Sequence, residues 1–412
     1  MTPARILILS QHFWPETFRI NEIAQSLQEA GCSVSILTGQ PNYPEGRVFD
    51  GYRSTSMGPQ AWEGMTIYRV PLRPRGTGGA RNLVLNYLSF MASASVIGPW
   101  VLRRQPFDVV FVYGTSPILQ ALAGVVLKHV KRATLVTWVQ DLWPESLETT
   151  GYIRNPRALA AVGAVVRWLY RRSDLLLAQS HAFVQSVQRM AGDTPVVYHP
   201  NPGERAFSAL VPDAAPALML PEGFNIVFAG NLGTVQALDT LIEAADQLRD
   251  APEVRWILVG SGARSAWLAE EILQRGLGER VVLAGRFPPE AMPGILAQAS
   301  ALLVSLVRSP IMSQTIPSKV QAYLAAGRPI IASMDGEGAE VVRASGAGLA
   351  CPAEDATALA DAVRHLRRLA PIERQRMGQA GQTYYARHFE PAALARQLIT
   401  RFDEARRRVQ ST

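Results

Sequence analysis

The chain has 412 residues, 48% apolar and 18% charged, a length that calls for two domains and a composition that excludes a disordered polymer. Its two cysteines, Cys32 and Cys351, stand far apart and exclude a disulfide framework or a cysteine metal cluster. The net charge of +7 belongs wholly to residues 1–180, with 18 Lys/Arg against 11 Asp/Glu, whereas residues 181–412 carry 23 of each.

Reduced thiols in a cytoplasmic protein are the expectation, and no signal peptide is read before the first apolar run, Ile6 to Leu9. A basic N-terminal half points to an anionic partner. Nucleic acid is not expected, because no helix-turn-helix, zinc-finger or aromatic RNA-binding signature occurs. A membrane surface fits better, since Arg69, Arg73, Arg75 and Arg81 stand beside a long apolar stretch. A solvated basic loop is the plain alternative.

In chain order, Arg5–Ser10 reads as a strand, followed by a helix over Phe18–Ala30 whose Ile20, Ile23, Ala24 and Leu27 recur at helical spacing and which Gly31 ends. Val34–Thr38, Met65–Val70, Asp108–Tyr113, Thr134–Trp138 and Leu175–Gln179 read as further strands with helices between most of them. Residues 82–102 carry no charge over 21 positions, long enough for a membrane span. Asn86, three serines, Gly98 and Pro99 fit a core or interfacial helix better, and Tyr87, Phe90 and Trp100 suit an interface. A proline-rich linker follows at about 199–222, including Pro200, Pro202, Pro212, Pro216 and Pro221. Beyond it Asn225–Ala229, Arg255–Val259, Arg280–Ala284, Ala301–Ser305 and Pro329–Ala332 repeat the pattern. The fold class is α/β: two Rossmann-like, doubly wound domains, residues 1–200 and 201–387, with parallel sheets covered on both faces and a central cleft at the strands' carboxyl ends.

Three segments of the second half read as a nucleotide-diphosphate site. Phe228 to Gln236 is a strand entering a turn with Gly230 and Gly233, and Leu258 to Gly262 repeats the device with Gly260 and Gly262. Such turns let backbone N–H groups approach phosphate, although glycine after a strand is often only a turn. The third segment places Lys319 in the first turn of a helix opened by Pro317 and Ser318, with Arg308 upstream. The chain has only three lysines, Lys128, Lys131 and Lys319. A sequence that writes arginine almost everywhere keeps a compact ammonium where phosphate would meet it.

On these residues the chain resembles the retaining glycosyltransferases of family 4, of GT-B fold. Ala322 to Ile331 resembles that family's small-residue helix end, Gly285-Arg286-Phe287 its base-contacting turn, and Asn201-Pro-Gly-Glu204 its domain linker. Closer resemblances are to bacterial members from O-antigen, capsule and colanic-acid clusters, some described as L-fucosamine transferases. They rest on Ser10 to Glu16, Gln40 to Pro44, Gln140 to Ser146, Gly230 to Gly233 with Gln236, and Pro317 to Lys319. The resemblance implies a UDP-sugar donor, retention, a polyprenyl-linked glycan acceptor, and a C-terminal helix, residues 388–412, packed back on the first domain. It implies no cofactor, and the six histidines, His12 and His199 among them, show no metal spacing.

Where the family has two glutamates eight residues apart, this chain has Gln314 and Ala322, and where it has phosphate-binding Arg and Lys, Asn231 and Gln236. Arg308 and Lys319 are therefore expected to supply the charge. In the first domain Asp141, Trp143 and Glu145 follow the Thr134–Val139 strand, and Glu16 and Arg19 follow the first. These carboxylates are candidates to orient or deprotonate the acceptor hydroxyl, the structural alternative being that Asp141 caps a helix and Trp143 fills core. The expectation is a peripheral enzyme of the inner face of the cytoplasmic membrane, with a sugar-nucleotide epimerase or a non-catalytic binding partner as rivals.

Overall fold

A computed structural model of the chain describes residues 4–76, 79–149, 155–207 and 216–411. Pro212 of the expected linker lies outside them. The chain divides into two compact units, Met1–Pro200 with Pro391–Thr412, and Asn201–Glu390.

The first unit comprises β1 (Arg5–Leu9), α1 (Arg19–Glu29), β2 (Ser33–Thr38), β3 (Gly58–Trp62), β4 (Met65–Arg69), α2 (Ala80–Val101), β5 (Val109–Gly114), α3 (Ala121–Lys131), β6 (Thr134–Val139), α4 (Glu145–Thr149), α5 (Pro156–Arg172), β7 (Leu175–Ala178), α6 (His181–Ala191) and β8 (Val196–Tyr198). The strand order is β3-β4-β2-β1-β5-β6-β7-β8. Every residue of β5 and β6 is buried, as parallel strands covered on both faces require. The sheet is not wholly parallel, however. β3 runs antiparallel to β4 through a tight turn in which Glu63 and Gly64 both have positive φ. Its residues alternate in exposure, and Pro59 is tolerated at the edge, where a missing N–H breaks no ladder.

Helix ends follow local chemistry. Asn155 caps α5 by accepting from the Arg157 and Ala158 amides, with Pro156 opening the helix, and Ser180 caps α6 at the Phe183 amide, 3.0 Å. Ile20, Ile23 and Leu27 of α1 share one core with Leu398 and Phe402 of the C-terminal helix Pro391–Ser411. On the other face, Phe90 and Ala94 of α2 pack with Ala123 and Leu127 of α3.

The uncharged stretch is thus a helix of the α/β layer. Among the described residues it is long and apolar enough to cross a membrane by length and composition. Its buried Asn86 accepts from Gln11 Nε2 at 2.7 Å and donates to the Arg73 carbonyl at 2.6 Å. Its outer stripe is apolar: Val84, Leu88, Ala92, Val96 and Trp100 recur every four residues and are exposed, Val96 to 75%. Of the four arginines read as a basic patch, Arg69 is buried and donates to the Gly39 and Trp14 carbonyls. It braces the loops; it does not belong to a surface.

The second unit comprises β9 (Phe224–Ala229), α7 (Leu238–Asp246), β10 (Val254–Val259), α8 (Ser265–Gln274), β11 (Val281–Gly285), α9 (Met292–Leu296), β12 (Ala301–Ser305), α10 (Ser318–Ala326), β13 (Ile330–Ser333), α11 (Glu337–Ser345), β14 (Gly348–Cys351), α12 (Ala356–Arg368) and α13 (Pro371–His388). Its six strands are all parallel in the order β11-β10-β9-β12-β13-β14. The winding reverses between β9 and β12, and the crevice at such a switch point is where doubly wound sheets bind ligands.

Candidate active site

At the carboxyl ends of β9 and β10, beside the start of α10, the second unit holds a cavity of about 480 Å³. Gly230, Asn231, Gly260 and Ser261 form its backbone wall, Arg286 and Phe287 come from the turn after β11, and Ser318, Lys319 and Ala322 come from α10. Gly230 and Gly260 have φ of +138° and +136°. A Cβ on Gly260 would lie 1.9 Å from the Gly230 carbonyl, and one on Gly230 would lie 2.6 Å from Lys319 Cε. Only glycines let the two turns touch and leave room for the lysine stem.

Pro317, with extended backbone, precedes α10, and no side chain caps the helix. Its first N–H groups lack helical partners, and the dipole adds positive potential there. Lys319 Nζ donates to Gln236 Oε1 and lies 4.5 Å from the centre of the Phe228 ring. Burial pushes its ammonium down to about 8. The ammonium thus meets Gln236, the position where the resemblance has a cation. An anion entering the cavity would find a charge already stripped of much of its water.

Gly233, Gln236, Gly262 and Pro317 are not among the lining residues. Gly233 precedes the turn Thr234–Gln236, and the Gly262 amide donates to Ser265 Oγ at the start of α8, 2.8 Å. Arg308 is also absent from the lining. The Arg308 side chain is 64% exposed, pairs with Asp335 at 3.3 Å and donates to the Ala353 carbonyl at 3.0 Å. The joint Arg308–Lys319 phosphate clamp stays an expectation, with the Arg308 guanidinium paired to Asp335, 27 residues downstream. Gln314 donates to the Pro310 carbonyl at 2.9 Å and is likewise absent from the lining.

Glu204, Phe207 and Tyr323 line the cavity without having been singled out as site residues. Tyr323 accepts the Ala229 amide at 2.8 Å and so fixes α10 to the end of β9. The linker residues arrive because Gln321 Nε2 donates to the Asn201 carbonyl at 2.8 Å. The sequence signal was the Asn201-Pro-Gly-Glu204 turn itself, read as linker alone.

In the first unit Glu16 is buried at 3% exposure. Its carboxylate accepts the Asn42 and Tyr43 amides, each at 2.7 Å, and pairs with His12 Nδ1 at 2.9 Å. It latches the Gln40 to Pro44 segment to the end of β1. Arg19 opens α1 and is half-buried. Trp143 is buried and donates to Ser116 Oγ at 2.9 Å. Asp141 accepts from Ser146 Oγ, while Glu145 Oε2 is buried with no hydrogen-bond partner among the described residues, as is the Tyr170 hydroxyl. Burial, then the nearby Glu145 and Asp141 carboxylates, raise the Tyr170 phenol. Two carboxylates and a phenol therefore share one local field. A second cavity of about 590 Å³ lies between Trp14, Phe49 and Tyr52, with Glu45, Arg47 and Asp50 at its walls. Among the described residues no group of His, Cys, Asp and Glu is arranged to hold a metal.

Two doubly wound units, one with a glycine-walled cavity under a lone lysine, define a protein of the GT-B class. Residues 17–202 match the model of the Glycosyl transferase 4-like domain and residues 223–368 that of Glycosyl transferases group 1. Together these matches span most of the chain, which is a glycosyltransferase of family 4. WcaI of Escherichia coli (strain K12), named as a colanic acid biosynthesis glycosyl transferase, is 27% identical over 78% of this chain and 81% of its own. The 2-deoxystreptamine glucosyltransferase of Streptomyces kanamyceticus is 26% identical over 76% and 79%. In fold, the sucrose-phosphate synthase of Thermosynechococcus elongatus superposes with a TM-score of 0.72 at 18% identity, covering 97% of this chain and 98% of that one. Anabaena Alr3699/HepE, solved in complex with UDP, gives 0.68 at 14% identity, covering 97% and 100%.

Proposed function

We propose that the enzyme transfers a sugar from a UDP-sugar to a polyprenyl-linked glycan acceptor in bacterial surface polysaccharide synthesis, with retention of anomeric configuration. N-acetyl-L-fucosamine, or a related amino sugar, is the favoured donor sugar. The observation that carries the donor reading is Lys319, an ammonium held at the start of α10 in a glycine-walled cavity. Cleavage of the glycosyl–phosphate bond leaves charge on the departing diphosphate, and a fixed cation at a helix start stabilises that charge more than the ground state. The name of WcaI and the UDP held by HepE support the donor and the polysaccharide context. Asp141 and Glu145 are the groups proposed to orient and deprotonate the acceptor hydroxyl.

A face of the first unit supports a lipid-bound acceptor. α2, α3 and α5 contain no Asp or Glu. They present exposed Val84, Val96, Trp100, Val130, Val165 and Trp168. Arg103 lies over Trp100 at 4.5 Å and Arg172 over Trp168 at 5.2 Å. Apolar side chains flanked by Arg103 and Arg172, for which no ion pair occurs among the described residues, fit an anionic lipid surface, and so a peripheral place on the inner face of the cytoplasmic membrane.

Incubation with labelled UDP-, GDP- and dTDP-sugars and a polyprenyl-linked acceptor tests the reading. Label should pass from a UDP-sugar into the lipid fraction. Conversion of the free nucleotide sugar without acceptor would show an epimerase instead, and UDP binding with no turnover a non-catalytic partner.

A further inference from the structure

We propose that Glu204 binds the ribose of the donor nucleotide, supplying from the linker the carboxylate that Ala322 lacks on α10. The inference rests on reading the cavity as a nucleoside-diphosphate site and assigns one more of its parts. Glu204 is the one carboxylate among the described residues that line it. A carboxylate cannot face the diphosphate, because like charges repel, and the cation Lys319 already serves that end. The flat base takes aromatic and apolar neighbours, which Phe287 and Phe207 provide. What remains is the vicinal diol of the ribose. Two hydroxyls can donate to the two oxygens of one carboxylate, the pairing that acidic residues make with ribose in doubly wound sheets.

The placement is built, not accidental. Ala322 lies three residues after Lys319 on α10, hence on the same helix face, and lines the cavity with a methyl group that can accept nothing. The segment before Glu204 is tied down twice: the Asn201 carbonyl accepts from Gln321 Nε2 at 2.8 Å, and the Gly203 amide donates to the Phe389 carbonyl at 2.8 Å. After it, the Phe207 amide donates to the Glu204 carbonyl at 3.1 Å, and the Phe207 ring is buried in the core of this unit. Glu204 is therefore carried on a braced turn, so little ordering remains to be done when a ligand binds.

Calorimetric titration of the full chain with UDP and with 2′,3′-dideoxy-UDP tests this. Wild-type protein should bind UDP about tenfold or more tighter than the dideoxy analogue. In Glu204→Gln the two should bind alike, at the affinity the wild type shows for the analogue. Adding Ala322→Glu to that variant should restore preference for UDP. Equal wild-type affinity for the two ligands overturns the assignment. So does a Glu204→Gln protein that keeps the preference, or one that weakens for both ligands equally, since the residue would then support the fold alone. A wild-type protein that binds no UDP overturns the donor reading, and this inference with it.

Discussion

At the end of β9 the backbone of Gly230 and the stem of Lys319 compete for one volume. A methyl group on Gly230 would lie 2.6 Å from Lys319 Cε, on a backbone with φ of +138°. Gly230→Ala should therefore displace the ammonium and weaken UDP binding by about tenfold, with both units still folded by circular dichroism. An unchanged UDP affinity would mean that the lysine has somewhere else to go. His199 makes a second residue-level case. Its ring is buried beside Trp138, and burial pushes it down to about 3. Its folded pKa lies below its unfolded one, so the unfolded chain binds the extra proton first. Stability is then full above about pH 6.5 and falls as pH drops toward 3. Between pH 7 and pH 5 urea unfolding should show a loss of up to about 2 kcal/mol, much reduced in His199→Gln. Identical losses in both proteins would remove His199 as the cause.

At the scale of elements, the β–α alternation was legible because the central strands β5, β6, β7, β9, β12 and β13 are apolar runs buried on both faces. Ile6–Leu9 and the helical spacing of Ile20, Ile23 and Leu27 in α1 placed the first two elements within a residue or so. The antiparallel strand β3 was not legible. Gly58-Pro59-Gln60-Ala61-Trp62 has neither an apolar run nor β-branched residues, and it becomes a strand only through pairing with β4. Side-chain partners were hidden for a related reason. Nothing near Arg308 announces Asp335, nothing near Arg69 announces the carbonyls of Gly39 and Trp14, and Glu16 looked like a cleft carboxylate until it was seen to accept two backbone amides. Also beyond reach was the solvent stripe of α2, because composition gives a helix its apolarity without saying which side the sheet covers. That stripe gives the element-scale prediction: Arg103→Glu with Arg172→Glu should reduce sedimentation with anionic liposomes while UDP affinity stays at the wild-type value. Equal binding to neutral and anionic vesicles would contradict the charge argument.

For the whole molecule, the proline-rich stretch and the repeated α/β series carried the division into two units, since prolines at that density continue neither helix nor strand. The cavity of the second unit was legible as far as the glycine turns and Lys319, both of which are local in sequence. Glu204 escaped because it arrives through Gln321 and Asn201, 120 residues apart. The central claim is that this enzyme holds a nucleoside diphosphate through Lys319. Calorimetry with UDP and with uridine tests it most directly. Lys319→Ala should weaken UDP by about ten- to a hundredfold, the range for one charged hydrogen bond to phosphate, and uridine far less. Because the free ammonium sits at about 8 and a bound diphosphate would raise it, wild-type affinity should also decline above pH 8 by up to about tenfold per pH unit. The Lys319→Ala protein should show no such decline. Equal losses for UDP and uridine, with an unchanged pH profile, would contradict the claim.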